Sequence, residues 1–433
     1  MWNKEIGIGI LGLGNVGGGT LAILEMNKAF IEQEIFPYKI KIVGLADLDA
    51  NREPKSKVDY LFFTTVAQEV IKHPDIQIVI EAIGGEYPAY NLIKQALEKG
   101  KHVVTPNKEV VAKHGYELLE IAHKNNVQFL FEASVGSAIP ILEVILNILT
   151  SCPLNEISGI LNGTTNYILD LMWEQNITQK EALKKAQNMG YAEADPSKDI
   201  NGLDATYKMF ILATLGFRGR LNLNQINYSG IGHITLDDIQ LAKQLGYRIK
   251  LLATARKKYN ELDIWISPVV IKEDHLLSNI QGANNGIFLS GNGYGDLFFS
   301  GAGAGGIAGA SMIISDIIRI IRKPQNFEYN FLLKDFKELK IEKLDQVERS
   351  YFLKITLENK QEDRENIRNV LLKHSLLVDG VSEIKHKDNT LTIGFIIDSI
   401  EERKAKEAIK EIKKVNYIQA IDYLEVYQKA IQK

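Results

Sequence analysis

Ile6-Gly7-Ile8-Gly9-Ile10-Leu11-Gly12-Leu13-Gly14-Asn15-Val16-Gly17 is the stretch whose reading decides the fold. Ile6–Leu11 is a short apolar run that ends in glycines, and a helical pattern follows to about Lys28. A strand, then GxGxxG, then a helix is the context in which a backbone can receive a pyrophosphate. Gly12 makes the tight turn, Gly14 lets the backbone approach the phosphates, and Gly17 lets helix and strand pack closely. The helix N-terminus attracts the negative charge. With Leu13, Asn15 and Val16, these glycines form the expected dinucleotide loop. Alone the motif is weak, because glycine-rich loops occur in other α/β proteins; its place at the first strand of a repeating pattern strengthens it.

That pattern continues. Strand-like runs at Ile40–Leu45, Ile76–Glu81, His102–Thr105 and Gln128–Phe131 alternate with helical ones at Tyr87–Lys99 and Val110–Lys124. Alternation of this kind argues for parallel βαβ units, so residues 1–131 are expected to form an α/β Rossmann-type domain. Asp47 ends the second strand, where an acidic side chain would hold a ribose 2′-hydroxyl. A carboxylate there favours NAD, yet Arg52, Lys55 and Lys57 follow and suit the 2′-phosphate of NADP. The choice between NAD and NADP stays open.

Beyond Phe131 the pattern changes. Helical periods at Ile139–Leu149, Asn166–Gln175, Thr178–Met189 and Pro196–Leu215 precede strands at Asp263–Ile271 and Gly286–Phe299. A glycine-rich turn, Gly301–Gly306, leads into a helix over Ala308–Ile321. Residues 132–321 thus read as an α+β domain, and 322–349 as a charged, irregular linker. Residues 350–433 read as strand 351–357, helix 364–374, strands 377–386 and 389–397, helix 400–414 and strand 417–426. That βαββαβ order is a ferredoxin-like split βαβ sandwich.

Bulk properties exclude several classes. The 433 residues are 45% hydrophobic and 24% charged, enough apolar material for two or three soluble domains. A net charge of −3 leaves no broad basic field, so nucleic acid is not an expected partner. The apolar run Ile139–Leu149 is too short to span a bilayer and carries Glu143. The N-terminus lacks the features of a signal peptide. The single cysteine, Cys152, is read as a packing thiol and fits a reducing cytoplasm. No two of the eight histidines lie three to five residues apart, so no HExxH-type zinc site is expected.

Two further segments carry chemistry. Thr105-Pro106-Asn107-Lys108 lies at the carboxyl end of a strand, the edge where doubly wound sheets bind ligands. A lone lysine there reads better as a solvated surface residue. The second segment is Ala186-Gln187-Asn188-Met189-Gly190-Tyr191-Ala192-Glu193-Ala194-Asp195-Pro196-Ser197-Lys198-Asp199-Ile200-Asn201-Gly202-Leu203-Asp204-Ala205-Thr206-Tyr207-Lys208. Gly190 ends one helix, and Asp195-Pro196 is expected to start the next. Asp204 and Lys208, four apart, share a face of that helix. An exposed ion pair on a surface helix explains that spacing as simply as a site does. Gly202 inside a helix costs about 1 kcal/mol against alanine, which points to a close approach there.

The spacing of this second segment resembles the homoserine dehydrogenase signature at about eleven positions. Glu132–Pro140, Gly159–Leu169 and Ser300–Gly306 resemble further blocks of that family, so the likeness spans residues 1–321. No aspartokinase-like extension is seen, which resembles the monofunctional enzyme. The resemblance implies NAD(P)H-dependent, reversible reduction of L-aspartate 4-semialdehyde to L-homoserine in threonine, methionine and isoleucine biosynthesis. It implies Lys208 as proton donor, Asp204 as the carboxylate orienting substrate and lysine, Glu193 on the substrate amino group, and Lys108 near substrate and nicotinamide. Gly190 and Gly303 carry over as coenzyme contacts. A sodium ion is implied on Glu132 and the carbonyls of Val135, Ser137 and Ile139, and the oligomer is expected to be a homodimer or larger.

Two positions depart from the family pattern. Ala46 stands where many members carry arginine, which weakens the case for NADP. The C-terminal unit resembles an ACT domain in element order, but its loop Asn359-Lys360-Gln361-Glu362-Asp363 lacks the usual glycine or proline. A structural or dimer-forming role is favoured there over binding of threonine. Another Rossmann amino-acid dehydrogenase, of saccharopine or diaminopimelate type, and a non-enzymatic NAD-sensing regulator are the alternatives. The complete set of Glu193, Asp204 and Lys208 argues against both.

Overall fold

The computed structural model describes residues 5–52, 54, 56–258, 261–323, 337–342 and 347–428. The chain divides into two compact units. The first comprises Met1–Pro153, Tyr207–Leu223 and Phe299–Glu338; the second comprises Leu154–Thr206, Asn224–Phe298 and Leu339–Lys433.

The first unit holds a parallel sheet. Its strands are β1 (Glu5–Leu11), β2 (Lys39–Ala46), β3 (Tyr60–Thr64), β4 (Ile78–Glu81), β5 (His102–Val104) and β6 (Phe129–Leu130). Their order is β3-β2-β1-β4-β5-β6. Near-continuous apolar runs make such strands because both faces are covered; Ile8, Ile10, Leu45, Ile78, Ile80 and Val103 are fully buried. The order reverses between β1 and β4, which opens a crevice at their carboxyl ends. Strand β3 lies at the sheet edge. Its exposed run Tyr60-Leu61-Phe62-Phe63-Thr64 lacks the alternation that marks a strand in sequence. Helix α1 (Asn15–Met26) starts at the glycine loop and packs on the helix Gly306–Arg322: a Cβ on Gly19 would lie 2.4 Å from the Gly306 carbonyl oxygen.

The second unit is built on a mixed sheet. Strands Leu154–Ile160 and Tyr247–Lys258 join Glu261–Lys272 there, with Asn284–Gly291 and Gly295–Ala302 towards one edge. The single strand expected over Gly286–Phe299 is therefore two strands, because Asn292-Gly293-Tyr294 turns the chain. Tyr247–Lys258 escaped the sequence reading because charges interrupt its apolar pattern. One of them, Lys250, is buried and donates to Asn166 Oδ1 (2.8 Å), Asp170 Oδ1 (2.6 Å) and the Ile280 carbonyl (2.7 Å). Three acceptors for three donors make that burial tolerable.

Glu348–Glu358, Gln361–Lys373, Val378–Lys385, Thr390–Glu401, Glu402–Ile412 and Ile418–Val426 follow in βαββαβ order. Within the sheet the strands stand fourth, first, third, second, with antiparallel neighbours. Alternate residues Tyr351, Leu353, Ile355 and Leu357 pack with Ile367, Leu371, Ala405 and Ile412 of the two helices. Strand Ile418–Val426 also pairs in parallel with Glu261–Lys272, through Val269 with Glu425 and Val270 with Val426. The two parts thus share one continuous sheet. Of the expected linker, 324–336 and 343–346 lie outside the described residues. Among the described residues no helix is long and apolar enough to cross a membrane.

At the seam of that sheet Arg349 stands among carboxylates. It reaches Asp263 Oδ1 at 2.7 Å, Glu425 Oε2 at 3.3 Å and Glu402 Oε2 at 3.7 Å. Its guanidinium lies 3.8 Å from the Trp265 ring centroid. Burial raises Glu425 to about 7 in spite of Arg349.

The helix expected over Pro196–Leu215 is two helices, Ser197–Ile200 and Leu203–Gly216. Gly202 breaks it with a φ of +88°, and a Cβ there would sit 3.1 Å from the Ser229 carbonyl oxygen. Pro196, not Asp195, is the cap; Asp195 Oδ1 accepts from the Ser197 amide at 3.1 Å. Asn201 Oδ1 accepts from the Leu203 amide at 3.0 Å, which restarts the helix. Likewise Ile139–Leu149 forms one α turn, Ile141–Glu143, continued by a π turn, Val144–Ile148.

Two tests follow from these features. A folded-state value above the unfolded one means that the native chain binds the extra proton, so Glu425 subtracts stability as pH rises from about 4.5 to about 7. Glu425→Gln should flatten the fall in urea midpoint between pH 5 and pH 8; an unchanged slope would contradict this. Gly202→Ala forces alanine into a left-handed conformation and should cost about 1–2 kcal/mol by urea denaturation. A neutral result would show that this backbone can relax.

Candidate active site

The glycine loop after β1 has the shape its motif requires. Gly12 has a φ of +91°, and its amide donates to the Ala46 carbonyl at 2.8 Å. A Cβ on Gly17 would lie 1.9 Å from the Gly12 carbonyl oxygen. A Cβ on Gly14 would meet nothing within 4 Å, so this is the one glycine of the three that faces open space. Gly14 and Asn15 are exposed, Leu13 is buried and Val16 is half-buried. Gly14 caps α1, where an anion is favoured.

A cleft of about 360 Å³ adjoins this loop, lined by Gly12, Gly14, Asp47, Arg52, Ala82 and Ile83 among others. Asp47 Oδ2 accepts from the Leu13 amide at 2.8 Å, so the acid at the end of β2 also braces the loop. Arg52 shares the cleft and lies 3.7 Å from Asp49. Lys57 lines a different cleft, along β2 and the first two helices. Lys55 lies outside the described residues. Gly303 is buried in the turn before Gly306–Arg322, and that helix begins against α1: a Cβ on Gly306 would be 2.2 Å from the Asn15 carbonyl oxygen.

Lys108 is the first residue of helix Lys108–Lys124, at the carboxyl end of β5, and is half-buried. Asn107 caps that helix, its Oδ1 accepting from the Val110 amide at 3.2 Å.

In the second unit, Asp204 is buried in the first turn of Leu203–Gly216. Its Oδ2 accepts from Asn162 Nδ2 at 2.9 Å, and the same nitrogen donates to Asp199 Oδ1 at 2.7 Å. Asn162 Oδ1 accepts from the Thr165 amide at 2.8 Å and so caps helix Gly163–Gln175. One amide thus holds two carboxylates from either side of the Gly202 break. Neither Asn162 nor Asp199 is given a role from sequence, although Asp199 is a fixed position of the resembled signature. Nothing in Asn-Gly-Thr-Thr shows where the Asn162 amide nitrogen will point. Gly190 closes helix Gln179–Asn188 with a φ of +75°, and the Tyr191 amide turns back to the Ala186 carbonyl at 2.9 Å. Glu193 follows on an exposed loop. Lys208, one helical turn beyond Asp204, falls within the first unit and is also buried.

Glu132 belongs to a buried acid network in the first unit. Its oxygens accept from the Leu142 and Glu143 amides at 2.7 and 2.8 Å, and its own amide donates to Asp316 Oδ2 at 2.9 Å. Arg319 reaches Asp316 at 2.9 Å, Glu143 at 2.5 Å and Glu132 at 3.7 Å. Burial, together with Asp316, lifts Glu132 to about 8; burial lifts Asp316 to about 6. Gly136 and Ser137 have φ values of +73° and +52°, which curl the chain between Val135 and Ile139. Among the described residues no cluster of three or more His, Cys, Asp or Glu side chains suits a metal ion.

Comparison with known proteins identifies the family. The family model for the NAD binding domain of homoserine dehydrogenase matches residues 12–132, and that for homoserine dehydrogenase matches residues 140–318. A homoserine dehydrogenase of Helicobacter pylori is 34% identical over 419 residues, 96% of this chain and 97% of that protein. A crystal structure of a homoserine dehydrogenase from Thiobacillus denitrificans superposes with a TM-score of 0.90 at 32% identity, covering 98% of both chains. A hyperthermophilic archaeal homoserine dehydrogenase in complex with NADPH covers 74% of this chain and 98% of its own, with a TM-score of 0.63 at 26% identity. With an open dinucleotide loop in one unit, and with Asp204 and the buried Lys208 one turn apart on one helix, the chain belongs to the homoserine dehydrogenase family of NAD(P)-dependent oxidoreductases.

Proposed function

We propose that this chain interconverts L-aspartate 4-semialdehyde and L-homoserine, with Lys208, Asp204 and Glu193 handling the substrate. The observation that carries this reading is the Asn162 amide shared by Asp199 and Asp204, at the start of the helix that bears Lys208. Two carboxylates held side by side suit a substrate ammonium. Glu193, on the exposed loop before them, is the third acid for that group. Lys208 Nζ gives a proton to the aldehyde oxygen as it becomes a hydroxyl and takes it back in the oxidation. Asp204 orients the lysine and the substrate from one turn earlier on the helix. Lys108 serves near substrate and nicotinamide.

The Gly12–Gly17 loop would hold NAD(P)H, which supplies the hydride when bound. The fit rests on the open space at Gly14 and on the helix start behind it. Gly190 and Gly303 are further coenzyme contacts in this reading. Asp47 favours the ribose of NAD and Arg52 the phosphate of NADP; both line the same cleft, so both coenzymes fit. The archaeal relative binds NADPH.

A sodium ion on Glu132 and the carbonyls of Val135, Ser137 and Ile139 fits the charge balance of that region. Glu132, Glu143 and Asp316 share one arginine, and a monovalent cation on hard oxygen ligands would offset the remaining negative charge. We read the βαββαβ unit as ACT-like in order and structural in role. Only Asn359 and Lys360 connect its first strand to its first helix, too little for an effector loop, and its last strand extends the neighbouring sheet. A cytoplasmic homodimer or larger homo-oligomer serving threonine, methionine and isoleucine synthesis completes the proposal.

Lys208→Ala should lower kcat for homoserine oxidation by about 10²–10⁴-fold while coenzyme still binds. Full activity in this variant would remove Lys208 from the proton step. Threonine at millimolar concentration should leave kcat and KM unchanged; inhibition that disappears when residues 350–433 are removed would overturn the structural role of that unit.

A further inference from the structure

Glu81 ends β4 and is completely buried, yet no cationic side chain among the described residues is bonded to it. Its Oε1 accepts from the Ile83 amide at 2.7 Å and the Gly84 amide at 3.1 Å. Its Oε2 accepts from Thr105 Oγ1 at 2.5 Å, at the end of β5. Thr105 Oγ1 in turn accepts from the Asn107 amide at 3.0 Å, and Asn107 Nδ2 donates to the Gly85 carbonyl at 2.7 Å. The bonds close a ring: Glu81, the 83–85 turn, Asn107, Thr105 and back to Glu81. Gly84 and Gly85 take φ values of +82° and +70° inside it.

A buried carboxylate without a cation is a poor choice for stability alone. What this one does is join two loops at the crevice edge. Ala82 and Ile83 form a wall of the cleft beside Gly12 and Gly14, and Asn107 caps the helix whose first residue is Lys108. We propose that Glu81 is a positioning residue for the coenzyme: through this ring it sets the 82–85 wall of the cleft and the start of the Lys108 helix as one rigid piece. The proposal rests on reading that cleft as the coenzyme site. Glu81 itself touches no reacting atom; it acts through Ile83, Gly84, Thr105 and Asn107. An amide at position 81 keeps the size and one acceptor, but turns the other acceptor into a donor, so either the Thr105 hydroxyl or the 83–84 amides lose their acceptor.

The test uses the full-length enzyme with Glu81→Gln, Thr105→Val, Thr105→Ser, the double variant Glu81→Gln/Thr105→Val, and Gly14→Val. Coenzyme Kd is read by titrating the fluorescence of NADH and NADPH, and kcat and KM are measured for coenzyme and homoserine separately. Glu81→Gln and Thr105→Val should each raise coenzyme Kd and KM about tenfold, the scale of one hydrogen bond to a charged group. The KM for homoserine at saturating coenzyme should change less than the coenzyme KM, because only Lys108 links the ring to the substrate. Thr105→Ser should restore the wild-type values, and the double variant should be no worse than the weaker single one, because both cut the same ring. A fall in kcat with both KM values unchanged, accompanied by a lower Tm, would reduce Glu81 to a structural residue. Unchanged coenzyme Kd in Glu81→Gln, with binding lost in Gly14→Val, would sink the proposal and leave the cleft assignment standing. Unchanged Kd in Gly14→Val would sink the cleft assignment itself. Should Glu81→Gln fail to fold, the two Thr105 variants decide the matter.

Discussion

Gly202 adopts a φ of +88°, and at that residue a segment with one helical pattern becomes two helices. In a continuous helix, residues five apart point about 140° away from each other, so Asp199 and Asp204 would diverge. The break lets both accept from Asn162 Nδ2. It also places Asp204 in the first turn of a new helix, where the backbone dipole favours a negative charge. The paired acids, and the lysine one turn beyond, all depend on a backbone angle that an L side chain adopts only under strain.

A second constraint recurs among the described residues: buried cationic side chains are met by several acceptors or acids at once. Lys250 has three acceptors for its three protons and ties the strand Tyr247–Lys258 to the helix Gly163–Gln175 and to the 280–282 turn. Arg349 gathers Asp263, Glu402 and Glu425 where the βαββαβ unit joins the larger sheet. Arg319 gathers Asp316, Glu132 and Glu143 beside the turn that precedes Ile141. In each case a single cation links elements far apart in sequence. Removing one member leaves an uncompensated charge, which is costlier than the intact group is stabilising.

The backbone of the glycine loop is set by steric contacts. Gly12 and Gly17 have no room for a Cβ because backbone oxygens stand in the way, whereas Gly14 has room and faces outward. Asp47 braces the loop from β2, and Glu81 braces the opposite wall from β4. Acids at the ends of two strands thus hold the two sides of one crevice.

The parallel Rossmann sheet, the glycine loop, Asp47 at the end of β2 and the βαββαβ order were all legible in the sequence, because they rest on local pattern: apolar periodicity, glycine spacing and turn residues. The segment Ala186–Lys208 carried the family resemblance through residue spacing alone. What escaped were features whose cause is remote along the chain. Strand Tyr247–Lys258 hides behind Lys250, whose partners lie 30 to 84 residues away. Asn162 is one polar residue of a family-like block in the sequence, although its amide organises two acids 37 and 42 residues downstream. Glu81 looks like the last residue of a strand until Thr105 and Asn107 are brought beside it. Residue order determined which local conformations were allowed and which side chains were on hand. Only the tertiary structure decided which of them met, because a buried polar group takes its role from whichever partner the fold carries within hydrogen-bonding reach.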